Sequence, residues 1–534
     1  MIYLLCYKNK RLLIIIEKMN FKSLFDIFQG LHFIKKNIFQ YLPIKYRNIT
    51  IGLSSCYLLY SIYKNYHNKL WIYIPFINKK VLKSLKEIGD KSIQEKNEIN
   101  DNIIHTIGIN PNEIPNNGLS KETIYTYIET LEKHDTKYKL ISGAIYDNHN
   151  RHKELMADVY NRFSYTNPMH GDVFNSIVFM ERNIITMIGN LLHNKNPCGT
   201  ITNGGTESLF LAIKTYRDIK NVNFPNLVVL DTVHCSIDKI GHYLGIKIIK
   251  VSTDHHHRGD IDDILKYVNR NTIAIILSAP SYAFGIMDDV HKIAPFMHEK
   301  KIPVHVDACL GGFIWMFQSF SQFCSFDTKG VTSISVCLHK FGYSHKGVSC
   351  IIYNDQNLLE HQYFASNTWD GGLYISPSFL GSRSGGLVAQ AWVGMLSRGF
   401  REYKKSSDYI LNLAKFTYNR LKNICEMYPL DLNIVCFSIG KNTYNLYDYL
   451  VEKGFLLNSL QNPPAIHICI TLLHNETLIN QLYDHIDNFI NTQNTIINSD
   501  GLAPIYGMKA GIPINSNEIM DLCLKYYLST KYTK

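Results

Sequence analysis

The chain has 534 residues, of which 46% are hydrophobic and 19% charged, a composition typical of a globular protein and not of a disordered one. Its formal net charge is +10, but the basic residues form no block interleaved with aromatic residues, so we predict no nucleic-acid partner. The twelve cysteines include no C-x-x-C pair and no zinc-like spacing, so we expect reduced, buried thiols and no metal site.

Residues 1–80 contain a candidate membrane segment. The stretch Ile49–Tyr63 carries no charge over fifteen residues and is flanked by Lys45, Arg47 and Lys64. A helix that spans a bilayer needs about 20 residues, so a buried or interfacial helix is the competing interpretation. Basic residues on both sides leave the orientation open. We predict a membrane anchor at 49–63 within 1–80, followed by lead-in helices over 81–141.

Strand and helix patterns alternate from Ser142 onward, which predicts a large domain over 142–395 with a mostly parallel sheet and helices on both faces. A smaller C-terminal α/β domain is predicted over 396–534, with a helical stretch at Arg401–Tyr428 and strands at Ile434–Ser438 and Ala465–Leu473. The seven strands predicted for the large domain are Gly199–Ile201, Asn226–Leu230, Ile246–Val251, Ile273–Ala279, Pro303–Ala308, Ser333–Leu338 and Gly347–Tyr353.

A lysine stands between the last two of these strands. Lys340 follows one apolar, β-branched run and precedes another. An amine held where a buried strand ends is partly desolvated, which disfavours the ammonium, so we expect a free amine able to form a Schiff base. A lone lysine at a strand end is more often a solvated surface charge, so this interpretation depends on the residues upstream.

An aspartate upstream supports the functional interpretation. Asp307 ends the strand pattern that begins at Pro303, and the glycine pair Gly311-Gly312 follows where something must approach the backbone. A carboxylate paired with a pyridinium nitrogen and a Schiff-base lysine are what pyridoxal phosphate (PLP) requires of its protein. Together these residues predict a PLP cofactor. His305, on the same strand, is a further cofactor-binding candidate.

A glycine-containing turn lies at the end of the first predicted strand. Gly205 and Thr206 come directly after it and open a helical pattern. Free backbone N–H groups and the helix dipole favour an anion at such a position, so we predict that this turn holds the cofactor phosphate. The turn matches neither the Walker loop nor the dinucleotide fingerprint. The helix is predicted from the apolar spacing of Leu209, Ala212, Ile213 and Tyr216.

These segments, together with Val233-His234-Cys235, resemble the sphingosine-1-phosphate lyase family, whose members are PLP-dependent enzymes of fold-type I related to group II decarboxylases. The resemblance covers roughly residues 142–508 as ordered matches, which a chance motif does not produce. It implies an aspartate-aminotransferase-like fold, a homodimer with shared active sites, and a single-pass endoplasmic reticulum protein whose catalytic domain faces the cytosol. The matching runs include Tyr165–His170, the glycine-threonine turn, His305–Phe313, His339–Gly347, Trp369–Gly372, Gly381–Gly386 and Pro463–His467.

The resemblance also implies a role for each matching residue. Lys340 would form the Schiff base, with His339 and Tyr343 as further catalytic candidates. The cofactor would be held by Asp307 at the pyridine nitrogen, by His234 stacked on the ring, by Gly205, Thr206 and His339 at the phosphate, and by Ser382 from a second subunit. The positions near the substrate phosphate would be Tyr146, Asn167, His170 and Lys346.

This chain departs from the family pattern at three places. The family usually has an aspartate and a threonine before the His-Lys pair, where Cys337 and Leu338 stand here. It tends to have a proline before the second lysine, where this chain has His345. The segment 278–285 also differs around the substrate channel. These departures leave the PLP chemistry intact and bear on rate and chain-length preference.

The implied reaction is retro-aldol cleavage of a phosphorylated sphingoid base between carbons 2 and 3. The products would be a long-chain aldehyde and phosphoethanolamine. The residues do not settle which group is the base: Tyr343, His339, the freed Lys340 and the substrate phosphate are all possible. The alternatives are an amino-acid decarboxylase on the same fold and an inactive membrane-bound scaffold. His170, Lys346 and the apolar N-terminus favour a phosphorylated lipid over an amino acid.

Overall fold

The computed structural model describes residues 90, 93–94, 97–99, 101–106, 108, 110, 113–135, 137–492, 524 and 528. The predicted membrane anchor at 49–63 lies outside them. The predicted C-terminal domain is described up to residue 492, and beyond it only at 524 and 528. Within the described part of the chain, no helix is both long enough and apolar enough to cross a membrane. The described residues from 90 to 492 belong to one compact unit.

The fold combines fifteen described strands with twelve helices. The strands are β1 (Leu140–Ile141), β2 (Cys198–Thr202), β3 (Asn226–Leu230), β4 (Lys247–Val251), β5 (Thr272–Ser278), β6 (Val304–Asp307), β7 (Val331–Val336), β8 (Ser349–Tyr353), β9 (Phe364–Ser366), β10 (Tyr374–Ser376), β11 (Glu426–Met427), β12 (Ile434–Ser438), β13 (Phe455–Leu456), β14 (Asn458–Leu460) and β15 (Ala465–Cys469). The helices are α1 (Lys121–Glu132), α2 (Asn150–Phe163), α3 (Asn175–Leu191), α4 (Gly205–Lys220), α5 (Ser236–Leu244), α6 (Ile261–Tyr267), α7 (Val290–Glu299), α8 (Gly312–Trp315), α9 (Gln356–Gln362), α10 (Gly385–Leu421), α11 (Thr443–Glu452) and α12 (Glu476–Asn491).

A seven-stranded sheet forms the centre, in the order β2-β8-β7-β6-β5-β3-β4. Neighbouring strands from β7 to β4 are parallel, whereas β8 is antiparallel to both β2 and β7. The predicted seven strands and the mostly parallel sheet are therefore confirmed. Every residue of β5 is buried, as expected for an apolar, β-branched strand that is covered on both faces.

Helices bury their apolar faces against this sheet. Helix α4 buries Leu209, Ala212, Ile213 and Tyr216, the four positions predicted from helical spacing. Their neighbours in the core include Val229 and Ile276 of the sheet. This packing fixes the N-terminus of α4 at the end of β2.

The strand directions bring three loops to one edge of the sheet. Because β2, β6 and β7 run the same way, their carboxyl ends lie at the same edge. Gly205, Asp307 and Lys340 follow or end these three strands. Ligands of open α/β sheets bind at such an edge, as the sequence predicts.

The C-terminal part differs from the prediction in its helix. The predicted helix Arg401–Tyr428 agrees at its start with a break in α10 at Gly399 (φ 61°, ψ 172°), but its end is wrong, because α10 ends at Leu421. Residues Glu426–Met427 instead form β11, because they pair with the edge of β12. The second sheet has the order β11-β12-β15-β14. The domain boundary predicted after residue 395 falls inside α10 and stays a prediction.

Candidate active site

A tight turn holds Lys340 at the sheet edge. Ser344 N donates to Leu338 O at 3.0 Å, and Tyr343 N donates to Lys340 O at 3.0 Å. A Cβ on Gly342 would lie 2.5 Å from Leu338 O, so this turn requires glycine. Helix α10 also holds this turn in place, because the hydroxyl of Tyr403 donates to Gly342 O at 3.0 Å.

The charge state of Lys340 differs from our expectation. Burial lowers the pKa of its amine, but interactions with Cys337 first, and then with Cys309, Tyr146 and Asp307, raise it, and the net direction is upward. The expectation that desolvation alone frees the amine is therefore wrong for the chain without cofactor. Lys340 is an ammonium among acidic groups, because the cleft supplies compensating charge.

Asp307 is the last residue of β6, and two hydrogen bonds hold its carboxylate. Its Oδ1 accepts from Cys309 N at 3.0 Å and from Ser335 Oγ at 3.4 Å. His305 lies behind it, fully buried, with Nδ1 2.7 Å from Ser333 Oγ and Nε2 3.1 Å from Ser335 Oγ. Burial lowers the pKa of His305 to about 4, so its ring is neutral. The structure places His305 in the core, where the hydroxyl of Ser335 links its ring to Asp307.

The glycine turn opens α4 as predicted. Glu207 N and Ser208 N make the first helical hydrogen bonds, both to Gly204 O, so the N–H groups of Gly205 and Thr206 lie ahead of the intrahelical ladder. A Cβ on Gly205 would lie 2.7 Å from Cys309 Sγ and 2.9 Å from Cys337 Sγ. Only glycine brings the helix N-terminus this close to the sheet.

His234 follows β3 at the same edge. Its ring is oriented by Ser236, whose Oγ lies 2.8 Å from His234 Nδ1. Tyr282 meets it edge to face at 6.2 Å and contacts His467 in turn at 5.0 Å. Tyr282 comes from the segment 278–285, where the sequence departs from the family pattern.

Lys346 and Tyr146 contact each other as the resemblance implies. The Lys346 amine lies 4.5 Å from the centroid of the Tyr146 ring and donates to Ala144 O at 2.5 Å. Burial, followed by the charge of Lys340, lowers the pKa of Lys346. Tyr146 also packs edge to face on Phe341 at 4.9 Å. Lys346 therefore lies close enough to Lys340 for the two charges to interact.

A second group of predicted residues is built around Asn167. Its Nδ2 donates to Ser382 Oγ at 3.1 Å, and its Oδ1 accepts from Arg383 N at 3.2 Å. Arg383 is anchored in turn by a two-pronged ion pair with Glu181. His170 lies nearby and is exposed; among the described contacts, no hydrogen bond joins it to Lys346. The described chain thus presents Ser382 on an exposed face beside Asn167.

Tyr343 is a predicted catalytic residue that the structure places elsewhere. It has a positive φ of 61°, which turns its ring into the core. There it stacks on Tyr403 at 6.0 Å, lies 4.0 Å from the Arg398 guanidinium and hydrogen-bonds to Ser406 through its hydroxyl. His339 remains at the edge and hydrogen-bonds to Val348 O through Nδ1 at 2.6 Å.

Comparison with known proteins identifies the family. The pyridoxal-dependent decarboxylase conserved domain matches residues 144–439. Sphingosine-1-phosphate lyase 1 of Rattus norvegicus is 31% identical over 473 residues, which cover 84% of this chain and 82% of the relative. The chain belongs to the sphingosine-1-phosphate lyase family.

Two further members of the family agree in length and fold. The Drosophila melanogaster sphingosine-1-phosphate lyase is 37% identical over 380 residues, covering 68% of this chain and 70% of the relative. The structure of a Burkholderia pseudomallei sphingosine-1-phosphate lyase has a TM-score of 0.69 and 26% identity, covering 78% of this chain and 96% of that one. The predicted fold class is confirmed for its PLP-dependent fold and mostly parallel sheet.

The residues at the edge fit the cofactor of this family, pyridoxal phosphate. Gly205 lets the N-terminus of α4 approach Cys309 and Cys337 closely, and its N–H group suits a phosphate. A buried amine and a strand-end carboxylate supply the other two contacts that PLP requires. The neighbours that sequence reasoning missed are Tyr282, His467 and the Cys309–Cys337 pair, because none has a local motif signal.

Proposed function

We propose that this chain cleaves phosphorylated sphingoid bases such as sphingosine 1-phosphate between carbons 2 and 3. The products are a long-chain aldehyde and phosphoethanolamine. The observation that carries the proposal is the shared cleft of Lys340 and Lys346, which sets a cofactor-binding amine beside a second cation. A phosphate on the substrate gives that second cation a partner.

Each residue at the edge has a proposed part in holding the cofactor. Lys340 binds PLP covalently through its amine, and Asp307 pairs with the pyridine nitrogen. His234 covers the ring, while Gly205 and Thr206 hold the phosphate with His339. When bound, PLP accepts the electron pair that the breaking carbon–carbon bond releases.

The remaining residues bind substrate and move its proton. Lys346 and Tyr146 form one side of the proposed site for the substrate phosphate, and Asn167 and His170 are assigned to the same site. The hydroxyl of Tyr343 is engaged with Ser406, which leaves His339, Lys340 and the substrate phosphate as candidates for the base. Each can accept the proton of the substrate's 3-hydroxyl group.

An exposed apolar surface supports the proposed homodimer. It lies on the hairpin of β9 and β10 and on the segment that leads to Ser382. A patch of this kind on a soluble unit marks an interaction site, and a second copy would carry Ser382 to the neighbouring active site. The patch contains Phe364, Trp369, Leu373, Ile375 and Phe379, which are 53% to 73% exposed.

Product analysis tests the proposed reaction. Purified protein with PLP and sphingosine 1-phosphate is expected to release phosphoethanolamine and aldehyde in equal amounts, and Lys340→Ala is expected to release neither, because it lacks the cofactor-binding amine. Lys329→Ala is the control, since this lysine pairs with Glu299 on the surface. Borohydride reduction and peptide mapping should place PLP on Lys340. A label on another lysine, or carbon dioxide release from amino acids instead of aldehyde, contradicts the proposal.

Lys346→Ala tests the recognition of the substrate phosphate. Loss of a charge-assisted contact of about 1.5–3 kcal/mol corresponds to a roughly ten- to hundredfold higher Michaelis constant for sphingosine 1-phosphate. An unphosphorylated sphingoid base, measured as a competitive inhibitor, should bind the variant as it binds the wild type, and Lys346→Arg should recover part of the loss. Equal weakening toward both ligands would show that Lys346 only supports Ala144 and Tyr146.

Hybrid dimers test whether two chains share each active site. Lys340→Ala and Ser382→Asp are each expected to be inactive, the second because a carboxylate would repel the cofactor phosphate. After subunit exchange in an equal mixture, half the dimers are hybrids with one intact site, so activity should return to roughly a quarter of the wild type. If labelled subunits exchange and activity stays absent, each site is built from one chain.

We also propose attachment to the endoplasmic reticulum membrane through 49–63, with the catalytic unit in the cytosol. The support is the uncharged stretch between basic residues in the sequence. Carbonate extraction of membranes should retain the full chain and release a variant that lacks 49–63. Equal release of both would remove this part of the proposal.

A further inference from the structure

Two buried cysteines lie side by side beneath the phosphate-binding turn. Cys309 follows β6 and Cys337 follows β7, and these parallel strands are in register with Asp307 opposite Ser335. Cys309 and Cys337 each follow this pair by two residues, just beyond the ends of β6 and β7. A Cβ on Gly205 would lie 2.7 Å from Cys309 Sγ and 2.9 Å from Cys337 Sγ. Both sulfur atoms therefore lie next to Gly205.

The two sulfurs have different surroundings. Cys309 Sγ lies 3.3 Å from Ser335 Oγ, and Cys337 Sγ lies 3.4 Å from Ser349 Oγ. Both residues are buried, with 7% of Cys309 and 2% of Cys337 exposed. A pair of adjacent thiols with unequal partners is suited to react in two steps, one sulfur as nucleophile and the other as resolving thiol.

The charges around the pair favour Cys337 as the nucleophile. Burial raises the pKa of the Cys337 thiol, but the hydrogen bond from Cys309 and the charges of Lys340 and His339 lower it to about 5. The pKa of Cys309 is raised by that same hydrogen bond, by burial and by the charge of Asp307. Cys337 therefore carries the thiolate, which is the reactive form, and Cys309 keeps its proton.

We propose that Cys309 and Cys337 form a reversible disulfide when the chain meets a peroxide, and that this disulfide prevents PLP from binding. The pair belongs to this chain in particular, because Cys337 stands where the family usually has an aspartate. The formation of the disulfide is independent of the substrate; only its effect on lyase activity rests on the proposed function.

The chemistry balances with hydrogen peroxide as the oxidant. The Cys337 thiolate attacks one peroxide oxygen, the O–O bond breaks, and hydroxide leaves with a sulfenic acid on Cys337. The Cys309 sulfur then attacks the Cys337 sulfur, the S–O bond breaks, and a second hydroxide leaves. The proton of Cys309 and one from solvent convert the hydroxides to water. The two sulfurs lose two electrons in total, and the peroxide gains them.

The disulfide alters the site in two ways that oppose cofactor binding. A bond of about 2.05 Å between the sulfurs draws together the strand ends that carry Asp307 and the Lys340 turn, directly under Gly205. It also removes the thiolate whose charge raises the pKa of Lys340. PLP bound above the sulfurs closes the cleft in turn, so cofactor and oxidant compete.

Peptide mapping of the full chain tests the disulfide directly. The PLP-free protein is treated with hydrogen peroxide, blocked with iodoacetamide and digested with trypsin without reductant. Trypsin is expected to release Cys337 within residues 330–340 and Cys309 within residues 302–329. A linked pair of these peptides should form, and dithiothreitol should separate it. Residues 302–329 also contain Cys324, so fragmentation must assign the link to Cys309; a link to Cys324, or none, overturns the proposal.

PLP binding, followed by its visible absorbance, tests the consequence. Oxidised wild type should bind PLP about tenfold more weakly or worse, and dithiothreitol should restore the original affinity. In Cys337→Asp and in Cys309→Ser the same treatment should leave each variant's own affinity within about twofold. Cys425→Ser, which changes a half-buried thiol at a distance in sequence, should respond as the wild type does. An equal loss of PLP affinity in the wild type and all three variants would mean that oxidation elsewhere in the chain causes the effect. That result would refute the proposed effect of the disulfide on PLP binding.

The order of addition separates this proposal from the proposed reaction. Chain loaded with PLP before peroxide should form the linked peptide more slowly than PLP-free chain, and equal rates would contradict competition between the two. An active lyase without the linked peptide refutes the disulfide alone. A linked peptide in a chain that does not cleave sphingosine 1-phosphate refutes the proposed function alone.

Discussion

The site depends on a charged amine that the fold holds at the edge of a buried sheet. The turn from Leu338 to Ser344 fixes Lys340 by backbone hydrogen bonds within the turn, and Tyr403 fixes it from α10. Removing an ammonium from water is costly unless opposite charge is close. The Cys337 thiolate and the Asp307 carboxylate supply that charge. The arrangement explains why acidic groups from two strand ends surround one lysine.

The same constraint organises the neighbouring parts of the cleft. Gly205 must lack a side chain because the sulfurs of Cys309 and Cys337 lie under it, and this close approach holds the N-terminus of α4 against the edge of the sheet. Lys346 lies close enough for the charge of Lys340 to lower its pKa. Tyr146 covers Lys346 with its ring. A dianionic substrate group relieves the repulsion between two lysines, so phosphate recognition and amine chemistry are linked electrostatically.

Local patterns in the sequence were sufficient to predict the central sheet and helix α4. All seven central strands were predicted because apolar, β-branched runs and their bounding turns are local signals. The placement of Gly205, Asp307 and Lys340 at one edge of the sheet was predicted for the same reason, since each lies next to such a run. The amphipathic spacing of α4 was also correct, because it depends only on which side chains face the sheet.

What the sequence could not supply depends on tertiary contacts. Tyr343 follows Lys340 closely in the chain, yet its positive φ and its stacking on Tyr403 turn it into the core. The end of α10 depends on strand pairing between β11 and β12. Cys309 and Cys337 are 28 residues apart, and only the register of β6 and β7 makes them neighbours. The charge state of Lys340 was predicted wrongly because its pKa depends on these neighbours, which the sequence alone does not identify.

The central claim is that one edge of the sheet holds PLP through Lys340, Asp307 and the Gly205 turn. A crystal structure of the chain with PLP tests this most directly. The account predicts continuous density from the Lys340 amine to the cofactor, the pyridine nitrogen against Asp307, and the phosphate at the N–H groups of Gly205 and Thr206. A cofactor attached to a different lysine, or a phosphate bound away from the N-terminus of α4, would contradict it.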